Sequence, residues 1–414
     1  MTDIQLIAAV LFGLALAHTF ATKTFERLAE RYPRHAGLFH FFGEVEVVFG
    51  LWALVLMLAM AAVNGGHSAI AYAESRTFAE PLFVFVIMVV AASKPVLETI
   101  RAAIALLARL APLRTSLVRA WLCLALVPLT GSLITEPAAM TLAALMLAPT
   151  VFRKAMPEWL KYGALGVLFV NVSIGGTLTS FAAPPVLMVA TTWQWDSAFM
   201  ASTFGWRAAL AVVVNASVIT FMLRKHIDDA DGTDAGHTPM PPLVAAIHLL
   251  FLGAVVAFAH HPVIFMGLFM FFLGFTQAYE QYQNPLILRE GLLVGFFLAG
   301  LVMLGGMQQW WLQPIVSRLE PTALFFGAVG LTAITDNAAL TYLGSLIVGL
   351  AAHAKYMLLA GAVAGGGLTI IANAPNPAGA ALLRDGFEDE SIGVAGLLAG
   401  ALGPTLVAML AFLM

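Results

Sequence analysis

Long apolar runs succeed one another from end to end of this chain. In lipid, only helices or a closed barrel satisfy their own backbone. Runs of roughly 17–25 residues are the length of a spanning helix. They fall near residues 4–21, 38–62, 81–99, 160–191, 205–223, 243–259, 262–279, 290–307, 357–383 and 391–413. The expected fold class is therefore an all-α polytopic membrane protein. The charged fraction agrees: 10% here, against about 25% in a soluble domain. The first run, Ile4 to Ala21, lacks a basic n-region and a small-residue cleavage site. It is expected to be a retained transmembrane helix rather than a signal peptide.

Two further runs, 121–151 and 322–351, are long but interrupted, and their interruptions repeat each other. One reads Ile134-Thr135-Glu136-Pro137-Ala138-Ala139-Met140-Thr141 and the other Ile334-Thr335-Asp336-Asn337-Ala338-Ala339-Leu340-Thr341. A carboxylate in the middle of an apolar run is costly and reads as functional by default. The structural alternative for Glu136 is a residue at a hairpin tip that snorkels to the interface. A charged centre and a proline argue against a simple span. A re-entrant hairpin that enters and leaves on one side fits better, because non-helical backbone at that depth must lie against protein or a water-filled cavity.

The basic residues supply a topology. They cluster at Lys23 to Arg34, Arg101 to Arg119, Arg153 to Lys161 and Arg224-Lys225, whereas the loops 63–80, 192–204 and 260–261 carry only Arg76. Ten spans and two same-side hairpins then alternate with both termini outside. The first hairpin enters from the cytoplasm and the second from outside, as an inverted repeat requires. The expected organisation is a first repeat, 1–225, with hairpin 121–151 and broken helix 160–191. A polar cytoplasmic linker, 226–242, leads to a second repeat, 243–414, with hairpin 322–351 and broken helix 357–383. Each repeat holds five transmembrane helices, one of them broken, and one re-entrant helical hairpin.

The broken helices carry a second matched pattern, Gly175-Gly176-Thr177-Leu178-Thr179 and Gly365-Gly366-Gly367-Leu368-Thr369. Pro184-Pro185 follow the first, and Asn373-Ala374-Pro375-Asn376-Pro377 the second. Glycines permit unwinding, and Pro184-Pro185 are expected to end the first half-helix. Unwound carbonyls suit a cation, and half-helix N-termini suit an anion. Thr177, Thr179, Ser180, Thr369, Asn373 and Asn376 are expected to complete an oxygen shell with Glu136, Thr135, Asp336, Asn337 and Thr335. Taken singly, each glycine is as well explained by close helix packing.

Glu44 and Glu46 interrupt the run Phe41 to Trp52. Two residues apart on a helix, they face about 200° apart and cannot share one partner. His18 and Lys94 are the expected counter-groups, although Lys94 can instead meet Glu98 one turn on. These four are candidates for a proton relay, or equally for structural ion pairs. His248, His260, His261 and His353 lie at or near expected helix ends and read as interfacial. Trp310-Trp311 read as an outer aromatic belt.

The hairpin and broken-helix pattern resembles the ion transporter superfamily. Thr335-Asp336-Asn337-Ala338-Ala339-Leu340 resembles the Asp-Asn hairpin signature of its D-type sodium/proton antiporters, and the paired glycine stretches resemble theirs. The run Phe41 to Trp52, with Gly43-Glu44-Val45-Glu46, resembles a smaller family of putative sodium/proton antiporters within the superfamily. Glu136-Pro137 departs from the Asp-Asn of those antiporters. Ala182-Ala183 stand in the region where they carry a further acid. The resemblance implies a homodimer in the bacterial inner (cytoplasmic) membrane, with a scaffold and a moving transport domain.

The expected function is secondary antiport of Na+ or Li+ against H+ by alternating access. The alternative is a sodium-coupled carrier of a small organic or inorganic anion, disfavoured by the acids at the motifs. An intramembrane enzyme is a distant third, since no nucleophile–base pair or metal-ligand set stands out. No cofactor is expected, and a net charge of −3 without a basic run offers nucleic acid no surface. The single Cys123 excludes an internal disulfide.

Overall fold

The computed structural model describes residues 2–227 and 240–414. The expected linker, 226–242, lies mostly outside the described residues. Helix accounts for 80% of the protein, with no strand among the described residues, so the apolar runs are α-helices and not barrel strands. Four helices are long and apolar enough to cross a bilayer: Val45–Asn64, Ser197–Leu223, Leu288–Gly305 and Val394–Leu413. Two bent pairs raise that number to six among the described residues. Asp3–Thr19, Pro242–Ala257 and Pro262–Ala278 are apolar but only 16 or 17 residues long. At 1.5 Å per residue they reach roughly 25 Å, a little short of the hydrocarbon core. The molecule is an α-helical integral membrane protein.

Local chemistry breaks the expected spans in more places than the sequence reading allowed. The run 81–99 is two helices, Ala79–Ala91 and Lys94–Leu110, bent by 61°. Ser93 is extended at the joint and Pro95 sits in the first turn of the second helix, where its missing N–H costs nothing. The run 38–62 is also divided. Ala36–Gly43 stops, Glu44 is extended (φ −75, ψ 122), and Val45–Asn64 begins. Glu44 is thus a cap and not a helix residue, so the 200° argument for Glu44 and Glu46 does not apply. At the start of the run 121–151, Thr115–Leu124 bends by 43° into Leu126–Ile134.

The two broken helices are Glu158–Gly175 with Pro184–Trp193, and Ala352–Gly365 with Asn376–Leu383. Here the expectation for Pro184-Pro185 is corrected. The first half-helix ends at Gly175, and the two prolines open the second half-helix. Proline with φ near −65° is preorganised for a helix start. Pro377 plays the same part in Asn376–Leu383.

Packing crosses the two halves. The first arms, Leu126–Ile134 and Pro321–Thr332, lie on Glu158–Gly175 and Ala352–Gly365 of their own halves. The second arms exchange: Glu136–Leu147 lies on Asn376–Leu383, and Asn337–Ser345 lies on Pro184–Trp193. Glycine lets Glu158–Gly175 approach Val394–Leu413 closely. A Cβ on Gly166 would overlap the Gly400 and Ala401 backbone, and one on Gly400 would overlap Tyr162. Small residues at such crossings allow dispersion contacts that lipid cannot supply. Gly166→Val is expected to cost at least the 1–3 kcal/mol typical of overpacking, read as a lowered melting temperature in detergent.

Lys161, grouped by sequence with the cytoplasmic loop residues, is 1% exposed. Its Nζ donates to the Gly386 carbonyl and pairs with Glu158, both at 2.5 Å. It pins the segment between Asn376–Leu383 and Val394–Leu413 to the start of the first broken helix.

Candidate functional site

Each interrupted run folds as two helices that meet at a tip, and each tip places its acid at a helix N-terminus. At the first tip Leu126–Ile134 ends, Thr135 turns the chain, and Glu136 and Pro137 open Glu136–Leu147. Thr135 adopts φ 78, ψ 151, a region reserved almost wholly for glycine and costing a β-branched residue about 1–3 kcal/mol. The strain aims Glu136 into the protein, where it is fully buried. Thr135→Gly is expected to raise the melting temperature, because glycine adopts this conformation without steric cost. Thermal unfolding of the two proteins side by side measures it.

At the second tip Asp336 is the N-cap of Asn337–Ser345. Its Oδ1 accepts the Ala338 N–H at 2.8 Å and the Ala339 N–H at 3.2 Å. The strong N-cap preference for Asp explains why this tip needs no strained residue.

The tips reach across into opposite halves. Glu136 Oε2 accepts from Asn373 Nδ2 at 2.9 Å, and Gly176 leaves room for it: a Cβ there would stand 2.6 Å from Glu136 Oε1. Asn337 Nδ2 donates to Ser173 Oγ at 3.4 Å, and Ser173 donates to the Val363 carbonyl at 2.8 Å. A Cβ on Gly366 would overlap Ser173 and Asn337. Asn376 Nδ2 is shared between the carbonyls of Gly366 (2.8 Å) and Thr369 (2.9 Å). Glu136 and Asp336 lie within electrostatic reach of each other.

One class of atom is left over. Thr135 Oγ1, Glu136 Oε1, Asn337 Oδ1, Asn373 Oδ1 and Asn376 Oδ1 are buried with no hydrogen-bond partner among the described residues. All are oxygens with lone pairs, on the two tips and on the second broken helix, which each tip approaches. Unsatisfied buried acceptors cost roughly 1–3 kcal/mol each.

The remaining expected ligands have other attachments. Thr179 Oγ1 donates to the Ser132 carbonyl at 2.7 Å, and Thr369 Oγ1 donates to the Ala333 carbonyl at 2.9 Å. Each ties a break to the first arm of its own hairpin. Thr177 caps Ile174 at 2.7 Å. Thr335 bonds back to Leu331 at 2.9 Å and lines an apolar cavity of about 350 Å³. Ser180 has a partner outside the tips. It meets Ser197 Oγ at 3.1 Å and lines a separate cavity of about 570 Å³ with Trp195, Asp196 and His260.

The expected pairings of the other ionisable groups are corrected. His18 meets neither acid. Trp52 Nε1 donates to its Nδ1 at 3.1 Å, so Nε2 carries the proton that reaches the Phe42 carbonyl at 2.9 Å. Both ring nitrogens are committed to neutral partners. Glu98 pairs with Arg101 at 3.6 Å, and Lys94 has no part in that pair. Glu44 pairs with Arg289, and Glu46 lies within electrostatic reach of Asp336. His248 packs inside the protein. It is fully buried, its Nδ1 bonded to the Val244 carbonyl at 2.8 Å and its Nε2 to Gln283 at 2.7 Å.

Sequence reading missed Ser132, Ser173 and Arg289. Ser132 straddles the first break, donating to the Gly175 carbonyl at 2.7 Å and accepting from the Leu178 N–H at 2.9 Å. A signal for it was present, since a serine one turn before the acid is the polar position of an otherwise apolar arm. Nothing in the sequence joins Ser173 to Asn337 or Arg289 to Glu44.

A comparison with curated proteins gives no match. A family model described as "Putative Na+/H+ antiporter" matches residues 3–414, a range that holds both tips, both breaks and every spanning helix named above. The chain thus belongs to the putative Na+/H+ antiporter family, and the acid-bearing crossing inside its helical bundle is the candidate site of a transporter rather than of an enzyme.

Proposed function

We propose that the protein exchanges Na+ or Li+ for H+ at the crossing of the two tips, by alternating access, in a bacterial inner membrane. The observation that carries this reading is the set of buried oxygens without donors around a fully buried Glu136. A charge so placed needs a neutralising partner, and a proton or a small hard cation serves equally. Competition of the two for Glu136 and Asp336 gives antiport. With both carboxylates protonated the site is neutral, and with a cation in place of each proton it is neutral again, so either form can be carried across while the charged empty form is disfavoured. Asn337, Asn373, Asn376 and Thr135 are the neutral ligands in this reading. Thr335 and Ser180 stand outside the shell. Thr177, Thr179 and Thr369 act by holding the breaks in shape.

The same reading takes 1–225 and 243–414 as inverted repeats of five spans and a re-entrant hairpin each, joined by the linker and working as a homodimer. The helix–break–helix order of both halves and the matching ties of Thr179 and Thr369 support it.

The anion-carrier alternative needs free half-helix N-termini. Two of the four already hold Glu136 and Asp336. The other two open on Pro184-Pro185 and on Asn376-Pro377, where proline has no N–H to offer.

Transport by purified protein in liposomes tests the proposal. An imposed pH gradient is expected to collapse on addition of Na+ or Li+, and not of K+ or choline. No response to any cation, together with sodium-dependent uptake of citrate or succinate, would replace antiport by the carrier reading.

A further inference from the structure

One cavity of about 570 Å³ joins two loops to the first break. The loops contribute Gln194, Asp196 and His260 to its lining, the break contributes Ser180 and Phe181, and Ala190 of the half-helix Pro184–Trp193 forms a wall. The break is non-helical, with Thr179 and Ala183 extended. Backbone of this kind inside a bilayer lies against protein or a water-filled cavity. On one side Ser132, from the first hairpin arm, holds the Leu178 N–H and the Thr179 hydroxyl. On the cavity side the Ser180 N–H donates to Ser197 Oγ at 3.2 Å, and the two hydroxyls meet at 3.1 Å. A Cβ on Gly176 would stand 2.6 Å from Glu136 Oε1 and 3.0 Å from the Ala183 Cβ. Both ends of the break therefore lie beside the buried carboxyl. Ser180 and Phe181, between those ends, are half-buried, whereas Glu136 is fully buried. The break is the wall between the cavity and the acid.

We propose that this cavity is the outer access path by which hydrated cations and protons reach Glu136, closed at its inner end by Ser180 and Phe181. This rests on the antiport reading above and on its topology. The contributing loops, 192–204 and 260–261, carry no lysine or arginine and lie outside on the charge pattern. The lining suits a cation. Asp196 is its one carboxylate, and no lysine or arginine lines it among the described residues. The Phe199 N–H donates to Asp196 Oδ1 at 2.7 Å and fixes the carboxylate in place. A cleft with charge of one sign raises the local concentration of counter-ions. The contacts between Ser180 and Ser197 are neutral hydrogen bonds, which water replaces at little cost. Phe181 is then the apolar side chain that an opening movement has to shift.

Thiol labelling tests the path, because the single native cysteine, Cys123, is fully buried. A membrane-impermeant cationic methanethiosulfonate is applied to right-side-out or to everted vesicles, and the protein is then purified and assayed for Na+-driven proton movement in liposomes. Ser180→Cys is expected to react from the outer face only, and to lose at least about tenfold in exchange rate once modified, a loss of the size that follows from blocking a required path. Ala190→Cys, on the cavity wall, is expected to behave alike and serves if Ser180→Cys does not fold. Ala198→Cys, exposed and outside the lining, is expected to react from the same face and keep its exchange. Relative to a small thiol in solution, Ser180→Cys is expected to favour the cationic reagent over an anionic one by about tenfold, and Asp196→Asn to reduce that preference. Reaction of Ser180→Cys and Ala190→Cys from the cytoplasmic face, or from neither while Ala198→Cys reacts, overturns the path. So does modification of both from outside with exchange intact. Exchange by unlabelled Ser180→Cys leaves the antiport reading standing in each of these cases. A wild type without exchange removes that reading and the transport role of the path together.

Discussion

Asp336→Asn is expected to abolish exchange while leaving the protein folded. The two roles of Asp336 separate cleanly in this variant. As an N-cap, asparagine is about as good as aspartate, so the bonds from Ala338 and Ala339 persist and stability should shift by no more than about 0.5 kcal/mol, as between equivalent caps. As a site for a proton or Na+, the amide offers no negative charge and binds neither in exchange for the other. Asp336→Ala is the control. It should lose the exchange and also about 1 kcal/mol of helix capping. Proton movement in liposomes and melting temperature, measured on both variants, decide the matter. Wild-type rates in Asp336→Asn would remove Asp336 from the mechanism.

Glu136→Gln is expected to uncouple the protein from Na+ without unfolding it. Glutamine keeps an oxygen for Asn373 Nδ2 and adds an NH2 that can serve the orphaned amide oxygens nearby. The variant no longer buries a charge that must be neutralised, so its stability in the absence of Na+ should equal or exceed that of wild type. The difference appears on adding salt. A ligand at 100 times its Kd stabilises the folded state by about 2.7 kcal/mol. Wild type should therefore melt higher in NaCl than in choline chloride, and Glu136→Gln should not. Equal Na+ stabilisation of both proteins would place the ion elsewhere.

Much of this site was legible because its chemistry conflicts with its surroundings. Glu136 and Asp336 stand out since an acid inside an apolar run has no structural economy to offer. The glycine pairs mark the breaks because a helix interior gains nothing from them. The sense of a break was harder to read. Pro184-Pro185 were expected to end a helix and instead begin one, because a missing N–H is harmful inside a helix and harmless in its first turn. The joint at Glu44 was likewise hidden. A continuous apolar run around Gly43-Glu44 reads as one helix, and the extended residue shows only in the folded backbone.

By itself the sequence determined the environment, the helical class, the family resemblance and the two acid-bearing interruptions. These follow from local composition and from the cost of polar groups in lipid, which acts on each segment separately. Only the tertiary structure decided partners. Glu136 meets Asn373 across 237 residues, Asn337 meets Ser173 across 164, and Glu44 meets Arg289 across 245. His18, which by position could serve an acid, is spent on Trp52 and Phe42. Such pairings depend on which helix faces pack together. That is settled by shape at crossings such as Gly166 on Gly400, and no local pattern of hydropathy or charge encodes it.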